Sequence, residues 1–81
     1  MTLEAKSANS VKIGKVFEAG RIKAGLSKNE VAEASVINIK YIEAIESGDY
    51  SIFPSEGFAR AYFIKYQEFL SPLYSTEVRA S

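Results

Sequence analysis

The 81-residue chain has no cysteine, no histidine and no tryptophan, two prolines, and Asp49 as its single aspartate. Without thiols or imidazoles, tetrahedral zinc centres and iron–sulfur clusters lose their usual ligands. Ser-His-Asp and Cys-His nucleophile systems cannot be assembled. A paired-aspartate site or a carboxylate cage for a metal would have to draw on glutamates spread along the chain. No glycine-rich phosphate loop is present either, because Gly14, Gly20 and Gly25 are separated by helical sequence. The expectation is a protein that is not an enzyme and holds no metal and no cofactor. The length allows one domain. No disulfide or metal staple is available, so the core must come from Leu, Ile, Val, Phe and Tyr.

Ten basic and ten acidic side chains give a net charge of zero, unevenly divided. Residues 1–28 hold six basic side chains against Glu4 and Glu18, whereas residues 29–81 hold four against eight acidic ones. The neutral total argues against a chain devoted to polyanions, while the basic first third keeps that option open. The longest uncharged stretch, Phe69 to Thr76, falls far short of the ~20 apolar residues of a membrane span. Glu4 and Lys6 stand where a signal peptide is apolar. The absence of cysteine fits a reducing compartment, and a cytoplasmic location is expected.

Residues 1–10 are small and polar without periodicity and read as a disordered tail. Beyond them the period is helical. Ile13, Val16, Phe17, Gly20 and Ala24 share one face of a first helix, and Gly25-Leu26 is a stop signal. Gly20 in mid-helix implies that another helix crosses closely there. Ser27 to Glu30 spell a capping box, and Leu26 and Val31 take the two positions of a hydrophobic staple. Val31, Ala32 and Ser35 give the second helix a small inner face. After a turn over Val36-Ile37, Asn38 caps a third helix that carries Tyr41, Ile42 and Ile45 inward and ends at Gly48. Residues 49–54 form a loop rich in large apolar side chains. Ser55 opens the longest helix, which runs to about Leu70 before Ser71-Pro72 breaks it; a short helix over Leu73 to Val78 would be a fifth. The chain therefore reads as all-α, with four to five short helices in a domain over 11–78. Two short helices joined by a tight turn and buttressed on both sides have the layout of a lambda-repressor-like helix-turn-helix bundle.

Two working surfaces follow from that layout. If the domain binds DNA, the helix at 38–47 enters the major groove and offers Asn38, Lys40, Glu43 and Ser47. Lys28, with Lys12, Lys15 and Lys23, would contact phosphates. Between Val36 and Tyr50, however, Lys40 stands against Glu43, Glu46 and Asp49, which weakens attraction to a duplex. On the fourth helix, Ala59, Phe63, Tyr66 and Leu70 gather into a core stripe at helical pitch. Phe58, Tyr62 and Phe69 form a second stripe, rotated by roughly 80°. Either the loop at 49–54 and the C-terminal segment cover that second stripe as core, or it is an exposed aromatic patch that docks a partner.

The frame Gly14-x-x-Phe17-x-x-Gly20-Arg21-x-x-x-Gly25-Leu26, followed by Ser27 and Val31-Ala32, resembles the opening of the Cro/CI-repressor-like superfamily. The stretch from Tyr41 to Tyr50, with Phe53-Pro54 and then Phe58 to Tyr62 and Tyr66, resembles the cytoplasmic domain of the RodZ family. The likeness covers about residues 11–70. It implies a non-catalytic cytoskeletal adaptor that binds the actin-like filament protein MreB in rod-shape maintenance. By the same likeness Phe58 and Tyr62 are docking aromatics, joined by Phe69 from the second stripe and by Lys65, which would meet an acidic rim on the filament. Arg21 and Glu46 would form an internal ion pair between the first and third helices. The alternative is a sequence-specific DNA-binding transcriptional regulator. The isolated domain is expected to be monomeric, and membrane attachment to depend on a span outside this chain. Family members continue after the fourth helix with a Gly-Leu-Asp-Pro-like segment, where this chain has Leu70-Ser71-Pro72-Leu73.

Overall fold

The computed structural model describes residues 7–74. Four helices follow one another: α1 (Ala8–Lys23), α2 (Lys28–Ser35), α3 (Ile39–Ser47) and α4 (Glu56–Tyr74). No strand occurs among the described residues, and the all-α helix-turn-helix bundle expected from the periodicity is what the chain forms.

Each start is built from a local side-chain cap. Ser7 and Ser10 bond reciprocally to each other's backbone N–H groups at the head of α1, and Ser27 and Glu30 do the same at α2. Asn38 accepts the Lys40 N–H at 2.9 Å, and Ser55 accepts the Phe58 N–H at 3.1 Å. The ends of α1, α2 and α3 share one device. Gly25, Val36 and Gly48 turn left-handed, with φ of 78°, 60° and 79°. The next residue then donates back to a carbonyl five residues earlier: Leu26 to Arg21, Ile37 to Ala32 and Asp49 to Ala44.

The core gathers Phe17 from α1, Val31 from α2, Ile37 from the α2–α3 turn and Ile42, Ala44 and Ile45 from α3. Phe53 of the loop and Ala59, Tyr66 and Leu70 of α4 complete it. The closest backbone approach is at Gly14. A β-carbon there would lie 2.3 Å from the Glu46 carbonyl oxygen, so α1 crosses α3 with nothing between the two chains. At the same junction Gly48 abuts Ser10 and Val11, and the Ser10 hydroxyl donates to the Gly48 carbonyl at 2.6 Å.

Several sequence expectations are corrected. The tail does not extend to residue 10, since the Ser7–Ser10 box starts α1 at Ala8; residues 1–6 lie outside the described part. A close helix crossing is present at Gly14, and Gly20 is buried on the same helix. The inner face of α1 is Ser10, Gly14, Phe17, Gly20 and Arg21, which leaves Val16 63% exposed. The periodicity placed Val16 inward because it could not see that Gly14, not a larger residue, centres the contact with α3. Pro72 does not break α4, which continues to Tyr74. Proline forfeits the bond to the Glu68 carbonyl and crowds it with its ring, but Leu70, 1% exposed, holds the last turns on the bundle. The helix expected over 73–78 lies beyond Tyr74 outside the described residues. Phe63 is half-buried rather than fully inside, seated edge-on against Phe17 and Tyr50 at 4.9 and 6.0 Å between ring centres.

Two stability predictions follow from the backbone. Val36 is a β-branched residue in the left-handed region, strained and 81% exposed. Val36→Gly should therefore raise the unfolding free energy by about 1 kcal/mol despite glycine's greater chain entropy, measured by urea titration. Gly14→Ala should lower it by about 1–3 kcal/mol or more through overpacking against backbone that cannot yield.

Candidate functional site

Three sets of side chains bear on function: a buried ionic cluster, an aromatic cluster beside α4, and the outer face of α3. The first ties α1, α3 and α4 together. Arg21 Nε donates to Glu46 Oε2 at 2.7 Å and Nη2 to Oε1 at 3.1 Å, a two-pronged pairing of planar groups. Arg21 Nη1 donates to the Leu26 carbonyl at 2.9 Å, and Glu18 stands 3.9 Å from Nη2. The Tyr66 hydroxyl donates to Glu46 Oε2 from the far side.

Arg21 and Glu46 are under 9% exposed and Tyr66 is fully enclosed. No buried side-chain polar atom among the described residues is left without a partner. The hydrogen bond to Glu46 raises the Arg21 pKa, outweighing the opposing effect of burial. Burial, reinforced by the Glu46 carboxylate, pushes the Tyr66 hydroxyl well above its ordinary 10.0. A cluster this enclosed and this fully paired has nothing to offer a ligand. It fixes helix positions. Tyr66 is the member that sequence reasoning placed in the core stripe without a polar role. The available signal was a tyrosine where an all-apolar stripe would carry leucine or phenylalanine, since buried tyrosines need a partner for the hydroxyl.

The aromatic cluster sits where α3, the 49–54 loop and α4 meet. Tyr41 stacks on Phe53 at 5.1 Å and lies 5.5 Å from Phe58 and 4.7 Å from Tyr62. Phe58 and Tyr62 are 5.0 Å apart, and the Lys65 ammonium stands 5.7 Å over the Tyr62 ring, within cation–π range. Tyr41, Phe58, Tyr62 and Phe69 are half-buried, Phe53 is buried and Lys65 is exposed. Both readings of the second stripe therefore apply in part. The loop covers its inner edges through Phe53, and its outer edges face solvent. Tyr41 belongs to this group although its spacing read only as core.

On α3, Lys40, Glu43 and Ser47 are exposed and line a shallow depression with Lys28, Asp49, Ser51 and Ile52. Lys15 and Lys28 border a second depression with Glu18, Glu43 and Glu46. The four candidate DNA contacts do not form one basic surface. Lys28 is half-buried, Glu43 stands in both depressions, and the Asn38 carbonyl oxygen is engaged in capping α3. No group of three or more potential ligands that could hold a metal is found among the described residues. None of the described helices is long and apolar enough to cross a membrane.

A family model described as a helix-turn-helix domain matches residues 16–71. No curated protein matches the chain, and no solved structure matches it.

Removing Arg21 orphans Glu46 in a buried site, so Arg21→Ala should lose about 3–5 kcal/mol of stability. Glu43→Ala, exposed on α3, should stay within about 0.5 kcal/mol; thermal and urea melts compare the two. The raised Tyr66 pKa gives a pH signature with a definite sign. Below pH 10 the hydroxyl is protonated in both folded and unfolded chains and its contribution is intact. Above that the unfolded chain releases the proton first, so stability falls as pH rises. Tyr66→Phe should flatten this alkaline decline in urea melts between pH 9 and about 11, leaving the smaller part due to Tyr50, whose hydroxyl is also raised by burial.

Proposed function

The chain belongs to the helix-turn-helix domain family, and from that premise we propose that it is a non-catalytic adaptor whose aromatic cluster docks on an actin-like filament protein of the MreB type. The reading rests on one observation. Four aromatic rings from α3, the loop and α4 converge at one junction, with Phe58 and Tyr62 half-exposed and Lys65 poised over the outer ring. Rigid rings lose little side-chain freedom on binding, and partly exposed aromatic groups with a flanking cation are the usual anchors of protein interfaces. The likeness of Tyr41–Tyr50 and Phe58–Tyr66 to the RodZ cytoplasmic domain supplies the identity of the partner. Cytoplasmic location and a monomeric state of the isolated domain belong to the same proposal.

A DNA-binding regulator is the second reading, favoured by membership of the helix-turn-helix family. The α3 outer face counts against it. Glu43 and Asp49 sit among Lys28 and Lys40, so few phosphates can be neutralised along a duplex, and affinity from counterion release scales with their number. Binding to random duplex is expected to be weak and to vanish by physiological salt.

Pelleting with assembled MreB-type filaments tests the adaptor. Phe58→Ala and Tyr62→Ala should each weaken co-pelleting roughly thirtyfold, about 2 kcal/mol. Because both rings pack on Tyr41 and Phe53, their melting temperatures should also fall. The exposed Lys65→Glu variant should weaken binding at an unchanged melting temperature. Wild-type affinity in all three variants would remove this surface from the docking site. A salt-resistant, sequence-selective duplex shift would promote the regulator instead.

A further inference from the structure

The core stripe of Ala59, Tyr66 and Leu70 leaves the opposite side of α4 facing outward. Gly57, Ala61, Ile64 and Glu68 fall there within roughly 60° of arc at helical pitch, and all four are exposed. Ile64 is 47% exposed. Gly57 has open space where a β-carbon would stand, so no contact within the chain asks for glycine there. Exposed Arg60 lies one turn before Ile64 and exposed Glu68 one turn after it. Neither side chain makes an ion pair or a hydrogen bond among the described residues. Half-buried Glu56 begins the same row of residues four apart, which therefore reads acid, base, isoleucine, acid. A row of alternating sign repels one end of any partner of uniform charge, a duplex or an anionic membrane included. A second copy turned about a two-fold axis supplies the complement by symmetry.

We propose that this row of α4 pairs weakly with the same row of a second copy, antiparallel, with Ile64 at the two-fold axis. Turning the row about Ile64 sets Arg60 opposite Glu68 of the second copy, and Glu68 opposite its Arg60, one turn to either side. Two equal ion pairs then flank an apolar centre. A parallel pairing would instead set Arg60 on Arg60 and Glu68 on Glu68. Helices whose rows of residues four apart interdigitate cross at roughly 50°. The adjoining row carries Gly57 and Ala61, so the ridge with Ile64 of one copy settles into the shallow groove over Ala61 of the other. Glu56 falls opposite Pro72, where it meets no charge. One pair of crossing helices falls short of the roughly 1,200 Å² of a stable interface, and solvent-exposed ion pairs add little. The isolated domain therefore stays monomeric in dilute solution and pairs where copies are concentrated. Phe58, Tyr62 and Phe69 lie about 120–160° around α4 from Ile64 in helical register, so pairing leaves both aromatic clusters open.

Sedimentation equilibrium of the whole chain, from about 20 µM to about 2 mM, tests this. The average mass should hold at the monomer value at the low end and rise toward the dimer value at the high end. Ile64→Glu should abolish the rise. Arg60→Glu and Glu68→Arg each set like charges face to face at both ends of the contact, and each should weaken pairing about tenfold. The two substitutions combined restore opposite signs and should recover wild-type association. All three positions are exposed, so circular dichroism and melting temperature should change little. A wild-type chain that stays monomeric throughout overturns the proposal. So does a combined variant that fails to recover, because the antiparallel register is then wrong. Association that persists in Ile64→Glu also overturns it, by moving the contact to another face. None of these measurements uses the filament, so the adaptor reading and this one fail separately.

Discussion

Glu46 is the point on which the bundle closes. Its carboxylate receives two donors from Arg21 of α1 and one from Tyr66 of α4, so three helices are referenced to one group at the end of α3. A buried ion pair contributes little net stability once desolvation is counted, and its worth lies in the arrangements it forbids. Sliding α1 by a turn would bury Arg21 or Glu46 unpaired. The contact between Gly14 and the Glu46 backbone reinforces the same constraint, because the helices come close enough for the ion pair only where α1 has no side chain.

That constraint determines which surfaces are left for work. With Tyr66 and Leu70 directed at the core, the two flanks of α4 are pushed to either side of it. One flank meets Tyr41 and Phe53 and becomes the aromatic cluster. The other meets α1 and becomes the groove lined by Val16 and Phe63. Fixing one stripe of a nineteen-residue helix thus creates two separate faces with different chemistry, one aromatic and one largely aliphatic.

The helix-turn-helix element sits within the same packing. In a DNA reader the third helix keeps its outer face free and basic. Here α3 contributes Tyr41 to the aromatic cluster, spends Asn38 on its own cap, and exposes Glu43 between Lys28 and Lys40. The turn before it carries strain at Val36 where glycine would sit without cost.

The sequence by itself determined whatever depends on neighbours within a turn or two. Helix type, the caps at Ser27 and Asn38, the stops at Gly25 and Gly48 and the helix-turn-helix order were legible because capping bonds and left-handed ends are made by residues two to five apart. The exclusion of histidine and cysteine chemistry required only composition. The Arg21–Glu46 pairing came from family likeness rather than spacing. What only the tertiary structure decided are contacts between distant residues. These include the close crossing at Gly14, the exposure of Val16, the polar role of Tyr66, and Tyr41 as a wall of the aromatic cluster. A helical period shows which residues share a face. Which face turns inward depends on the shape of the partner helix, and that is not written in the helix itself.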